Sequence, residues 1–160
     1  MSVDGDDFRR VMGRFATGVT IITSRLGDES HGMTANAVAS VSLDPPLVLV
    51  CVDESADSHD IIAESGAFAV SILGRDQEHL SRVFAVKEAP GAHSLDDVPH
   101  HVRVTGAPII DGSVAYLDCR VIDRHQAGDH TIFIGEVVDA SPLADQPPLV
   151  FYEGRFTELA

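Results

Sequence analysis

The chain has 160 residues, 44% of them hydrophobic and 22% charged, with a formal net charge of −14. That length suits one domain, residues 1–160, with a sizeable core. The negative balance excludes the basic footprint of a nucleic-acid binder and disfavours an anionic membrane surface, and no apolar run approaches the length of a membrane span.

The acidic, polar start MSVDGDDFRR does not read as a secretory signal. Cys51 and Cys119 lie in apolar, strand-like runs and are expected as reduced core residues of a cytoplasmic protein. Asp6 to Phe15 reads as a short amphipathic helix, because Phe8, Val11, Met12 and Phe15 fall at i, i+3, i+4 and i+7. Thr17-Gly18 breaks that period. Val19 to Ser24 is a β-branched strand, and Leu26-Gly27-Asp28 turns it towards a hairpin partner at His31 to Thr34.

The stretch Gly32–Asp53 organises the rest. Its first half is small and hydroxylated, with Thr34, Ala35, Asn36, Ala37, Ser40 and Ser42; its second half, Leu47 to Val52, is a continuous apolar run after Pro45-Pro46. The second half reads as a strand buried on both faces. The first half suits either a tight turn packed on a neighbouring strand or a wall against a flat, polar-edged ligand, since short side chains leave space and expose backbone donors.

Beyond it, Asp57 or Ser58 is placed to cap a helix that ends near Ser65, with Gly66 at its stop. Phe68, Val70 and Ile72 alternate with small residues in a strand. Asp76 is placed to cap a helix whose core stripe is Leu80, Val83 and Phe84, and Lys87 to His101 reads as a mobile surface loop or lid. Val114 to Arg124 is a long strand with Ala115, Leu117, Cys119 and Val121 on one face. A turn at Gln126–Asp129 leads into a return strand from His130 to Ala140, and the aromatic tail Leu149–Phe156 is strand-like. About seven clustered strands and three short helices predict a mainly β, antiparallel barrel with helical covers.

Nucleotide-binding glycine motifs and the G-x-S-x-G elbow are missing from the sequence. The eight histidines show neither H-E-x-x-H nor C-x-x-C spacing, so no metal site is expected, and His100-His101 reads as a solvated loop. Gly128-Asp129-His130 is either an ordinary hairpin turn or a rim histidine displayed to a ligand.

Six segments, FATGVTIIT (15–23), GMTANAVASVSLDPPLVLV (32–50), FAVSIL (68–73), GAPIIDGSVAYLDCRV (106–121), GDHTIFIGEV (128–137) and PLVFYEGRF (148–156), come in an order that resembles the flavin reductase family. The resemblance implies an FMN-binding split β-barrel, a homodimer, FMN or FAD as cofactor, NADH or NADPH as co-substrate, and delivery of reduced flavin to a partner monooxygenase. The scarcity of arginines leans towards NADH. It implies that Thr34, Ala35, Asn36 and Ala37 line the flavin ring, that Ser40, Val41 and Ser42 continue that wall, and that Cys51 and Val52 run beside it. Ser55 and Ser58 fall towards the phosphate, and Phe84 packs near the cofactor. Gly128, Asp129 and His130 match the nicotinamide-nucleotide loop, while Tyr152, Arg155 and Phe156 match the family's C-terminal motif near the ring and second substrate.

No side chain is implied as catalytic acid or base, because the flavin carries the chemistry. The loop DESADSHD departs from the family, which often has a basic residue there; His59 is the candidate for compensating charge, and a weaker or exchangeable flavin is the consequence. The alternatives are a flavin-binding barrel without efficient NAD(P)H turnover, or an FMN-dependent oxidase acting on another small molecule.

Overall fold

The computed structural model describes residues 2–86 and 93–159. The strands are β1 (Thr17–Gly18), β2 (Thr20–Leu26), β3 (Glu29–Ala35), β4 (Val38–Leu43), β5 (Pro46–Asp53), β6 (Ala67–Ile72), β7 (His100–His101), β8 (Ile109–Ile110), β9 (Ala115–Ala127), β10 (His130–Pro142), β11 (Val150–Tyr152) and β12 (Arg155–Thr157). The helices are α1 (Gly5–Met12), α2 (Asp57–Ser65) and α3 (Glu78–Ala85), the last preceded by a 3₁₀ turn at Arg75–Gln77.

Seven strands form one antiparallel sheet in the order β3-β2-β6-β9-β10-β5-β4. Its two end strands, β3 and β4, are consecutive in the chain and joined by Asn36-Ala37 alone. The three steps from Ala35 to Val38 reach only about 10–11 Å, so the sheet must curl until its edges nearly meet. The result is a barrel split between β3 and β4, as the strand pattern predicts.

Three apolar clusters sit on this sheet among the described residues, the smallest formed by Ala69, Ala107, Ile109 and Tyr116. Ile22, Val50, Val52, Phe68, Val70, Cys119 and Phe133 fill the barrel, closed by Ile62 of α2. Val19, Ile21, Leu73, Phe84, Leu95 and Leu149 form the second, between β2, α3 and the tail. The β9–β10 hairpin crosses the first cluster at Gly135, where a Cβ would lie 2.6 Å from Phe68 Cζ. Glycine is there for space, since carbon atoms pack at about 3.5–4.0 Å.

Several local expectations need correcting. The apolar face of α1 is not buried: Phe8 is 60% and Phe15 70% exposed, with Val11 and Met12 also exposed. The N-cap of α2 is Ala56, which makes no side-chain cap, although Gly66 does end the helix in the left-handed region. Gln77 rather than Asp76 closes the start of the next element, its Oε1 accepting from Gly74 N–H at 2.9 Å. Val83 is exposed on α3, and Ser81 joins Phe84 in the buried stripe.

Residues 87–92 of the expected loop lie outside the described residues. The rest of that loop is packed. Leu95 is fully buried, the carbonyl of His93 accepts from Gly32 N–H at 2.8 Å, and His100-His101 pairs with Ile109-Ile110. The chain just beyond it, at Val104 and Thr105, covers the second face of β9. There Asp118 is fully buried, and its carboxylate accepts from the backbone N–H groups of Val104 (2.8 Å) and Thr105 (3.0 Å) and from the Thr105 hydroxyl.

Candidate functional site

The split in the barrel opens a cleft of about 570 Å³, within the usual range for small-molecule sites. Register explains its walls. β5 and β10 pair so that Asp53 faces His130, and Glu54 N–H donates to the Asp129 carbonyl at 3.0 Å. The end of β5, the start of α2 and the β9–β10 turn therefore converge. The turn itself is tight: Gly128 has φ +62° and Ala127 pairs directly with His130, the glycine-first pattern of a type II′ hairpin.

The opposite wall is the end of β3 and its link to β4. Thr34, Ala35, Asn36 and Ala37 all line the cleft. The Thr34 hydroxyl is already committed, donating to the Ser81 carbonyl at 2.6 Å and tying β3 to α3. Ala35 and Ala37 hold the cleft open by lacking bulk. Asn36 and Ala37 lie outside the strands, so their N–H groups are not required by a ladder. Phe84 comes from the end of α3 and lies close on Gly32, where a Cβ would meet ring carbons at 3.1 Å.

The floor carries Cys51, whose thiol is pushed up from its usual range by burial. Ala56, Asp57 and Ser58 bring the first turn of α2 into the cleft. No side chain caps that terminus, and His59 N–H donates to the Ala56 carbonyl at 3.0 Å, which leaves the N–H groups before it and the positive end of the helix dipole to an anion. Ser58 is buried there. Ser55 lines the cleft, but its hydroxyl and N–H both donate to Asp53 Oδ1, at 2.7 and 2.8 Å, so it shapes the loop. His130 Nδ1 lies 2.7 Å from Asp129 Oδ1, which orients the ring and leaves Nε2 for a ligand.

Phe156 lines an adjoining recess of about 200 Å³ that shares Thr34, Ala35 and Asn36 with the cleft. Its ring packs on Phe151 at 5.5 Å and lies under the Arg82 guanidinium at 4.9 Å.

Other sequence-derived positions fall elsewhere. Ser40, Val41 and Ser42 belong to the edge strand β4 and line neither recess; the strand has left the cleft once Ala37 is passed. Val52 points into the barrel core, because side chains alternate along β5 and Cys51 takes the cleft side. Tyr152 and Arg155 are cross-strand partners flanking the Glu153-Gly154 turn, and also line neither recess, since alternation gives the inner face to Phe151 and Phe156. His59 does not line the cleft. Its Nε2 lies 2.8 Å from the Thr131 hydroxyl and its ring packs on Phe133.

The cleft also holds residues that sequence reasoning missed. Arg9 reaches it from α1, its guanidinium paired with Asp6 at 3.1 Å, and His93 and Ala85 complete the rim. Nothing in the local pattern around Arg9 could reveal this, because helix periodicity assigns it only to the polar face of α1. A larger recess of about 830 Å³ lies beyond Asp57, but its walls carry Asp28, Glu29, Asp60, Glu64 and Asp96, which would repel an anionic nucleotide.

A family model described as a flavin reductase-like domain matches residues 12–160. The chain is 46% identical over 154 residues to an NADH-dependent flavin reductase of a Rhodococcus species, covering 94% of this chain and 84% of that one. It is 42% identical to the reductase component of a 4-nitrophenol 4-monooxygenase/4-nitrocatechol 2-monooxygenase of Rhodococcus opacus, over 96% of this chain and 80% of the other. Among solved structures, the NADH:FAD oxidoreductase SgcE6 of Streptomyces globisporus in complex with NAD and FAD fragments superposes with a TM-score of 0.89, at 42% identity, covering 100% of this chain and 97% of that chain.

Proposed function

Because the chain belongs to the flavin reductase-like family, we propose that its 570 Å³ cleft is where a flavin meets a reduced nicotinamide. The chain is an NAD(P)H:flavin oxidoreductase that supplies reduced flavin to a monooxygenase. Relatives named for NADH favour that donor here, and relatives named for both FAD and FMN leave either flavin acceptable.

The observation that carries the site assignment is the pairing of a small-residue wall, Thr34 to Ala37, with the uncapped terminus of α2 at the other end of one cleft. Those two features fit the group: space and backbone donors for a planar ring, and N–H groups for a phosphate. When bound, the flavin accepts a hydride from the nicotinamide and so carries the redox chemistry itself.

The protein's part is placement, for which reacting atoms about 3–3.5 Å apart are needed. Thr34, Ala35, Asn36, Ala37 and Cys51 form the ring wall, and Phe84 excludes water at its rim. Ser58 and the first turn of α2 take the phosphate, with Ser55 holding the loop in shape. Donors near Asn36 stabilise negative charge that develops on reduction. Gly128 and Asp129 present His130 to the dinucleotide, and Phe156 bounds the adjoining recess where the second substrate enters.

Residues 1–160 act as one domain, since the apolar clusters share one sheet. A second copy of the chain covers the exposed apolar face of α1 and the β4 edge, where Leu43 is 92% exposed; this makes a homodimer. Light scattering on the purified protein tests that state, and a monomeric mass overturns it. The activity test is aerobic NADH consumption with FMN, FAD or riboflavin added. Consumption that depends on flavin supports the assignment; none with any of the three refutes it.

A further inference from the structure

Where the cleft meets the larger acidic recess, three metal-ligating side chains converge. His31 of β3, Asp57 in the first turn of α2 and His93 each offer one ligand atom, and these atoms all lie within 4.8 Å of one another. Asp57 lines both recesses, His31 lines the acidic one and His93 the cleft, so the three stand on the wall between them.

The ring contacts set the tautomers. His31 Nε2 lies 3.3 Å from Glu29 Oε1, and His93 Nε2 contacts the Val86 carbonyl. A ring nitrogen facing a carboxylate or carbonyl carries the proton, so Nδ1 keeps its lone pair in each neutral imidazole. A carboxylate or carbonyl behind the non-ligating nitrogen is the usual support for a metal-bound histidine.

His31 Nδ1 is buried and has no hydrogen-bond partner among the described residues. A buried acceptor normally finds a donor; here its neighbours in the cluster, Asp57 and His93, bring lone pairs of their own. The surrounding field also favours a cation, since the recess beside His31 carries six carboxylates, those of Asp28, Glu29, Asp57, Asp60, Glu64 and Asp96, and, among the described residues, neither lysine nor arginine.

We propose that His31, Asp57 and His93 bind one divalent first-row transition metal, with zinc as the reference ion. Two imidazoles and one carboxylate suit zinc and its neighbours better than magnesium or calcium, which prefer all-oxygen shells. Bonds of about 2.0–2.1 Å place tetrahedral ligands roughly 3.3 Å apart. The exposed Asp57 side chain can rotate to close that difference, while the largely buried His31 anchors the site. The fourth position is left for water or a ligand reaching it from the cleft. Sequence spacing is silent about this site because its ligands come from a strand, a helix and a connecting segment far apart in the chain.

The test uses the full-length protein, stripped with a chelator, desalted, and free of flavin, so it does not depend on the reductase reading. Zinc is titrated calorimetrically, and cobalt(II) serves as a spectroscopic probe of the same site. The expected result is one ion per chain with a micromolar or tighter Kd, and ligand-field bands from bound cobalt. Asp57→Asn and His93→Asn, both at accessible positions and checked for folding by circular dichroism, each weaken zinc binding at least tenfold. His125→Asn leaves it unchanged. Absence of saturable binding overturns the proposal, as does stoichiometric binding that Asp57→Asn and His93→Asn leave intact.

Discussion

Replacing Gly135 by alanine tests the packing that holds the barrel together. The added Cβ would lie 2.6 Å from Phe68 Cζ and 2.9 Å from both Phe68 Cε1 and Cys119 Cβ. Those contacts fall about 1 Å short of a normal carbon–carbon separation. Phe68 and Cys119 are fully buried, so neither can retreat into solvent. Overpacking of this kind costs about 1–3 kcal/mol, only partly offset by the roughly 0.4–1 kcal/mol that a glycine-to-alanine change gains in the unfolded chain. At about 2–4 °C per kcal/mol for a chain of this size, Gly135→Ala lowers the melting temperature by several degrees. The assay is a thermal melt followed by circular dichroism. Phe68→Leu shortens the obstructing ring, so the double variant loses less than the sum of the two single losses. A Gly135→Ala melt equal to the wild type, or strict additivity with Phe68→Leu, would refute the reasoning.

Three other outcomes follow from named contacts. Cys119 is buried, and desolvation with the nearby Asp118 charge pushes its thiol up to about 12, whereas Cys51 lines the cleft; a thiol reagent therefore modifies Cys51 first, and saturating flavin slows it, as mass spectrometry of the labelled peptides will show. Asp139 accepts from Arg103 Nε at 2.9 Å and from the Tyr116 hydroxyl at 2.8 Å, and these bonds, Arg103 first, hold its carboxyl below the usual range. A depressed folded value means stability that is present above the unfolded carboxylate range and lost as pH falls through the folded one. Asp139→Asn thus melts below the wild type at neutral pH, and the gap closes on acidification; a gap independent of pH contradicts the assignment. His130→Ala raises KM for NADH roughly tenfold, the loss of one good hydrogen bond, while flavin affinity by fluorescence titration changes less; the reverse order would move His130 to the flavin side.

The barrel was legible from short β-branched and apolar runs bounded by turn residues, although β2 and β6 are buried almost throughout and β5, expected to be buried on both faces, alternates. The Gly66 stop and the Gly128-Asp129 turn were legible as well, since positive φ selects glycine. The run of small residues at Thr34–Ala37 was legible, and it lines the cleft. Its continuation through Ser40 to Ser42 was not, because composition does not tell where a chain turns away from a cleft. Tyr152 and Arg155 were lost to alternation in a three-residue hairpin strand, which motif matching ignores. Arg9 and His93 became visible only in three dimensions, as did the burial of Asp118 against Val104 and Thr105.

The most direct test of the central claim is the structure of the protein crystallised with FMN or FAD. The ring should lie against Thr34–Ala37 with Cys51 beneath it, and the phosphate should sit at the first turn of α2. Flavin density anywhere else, or its absence from this cleft at saturating concentration, contradicts the account.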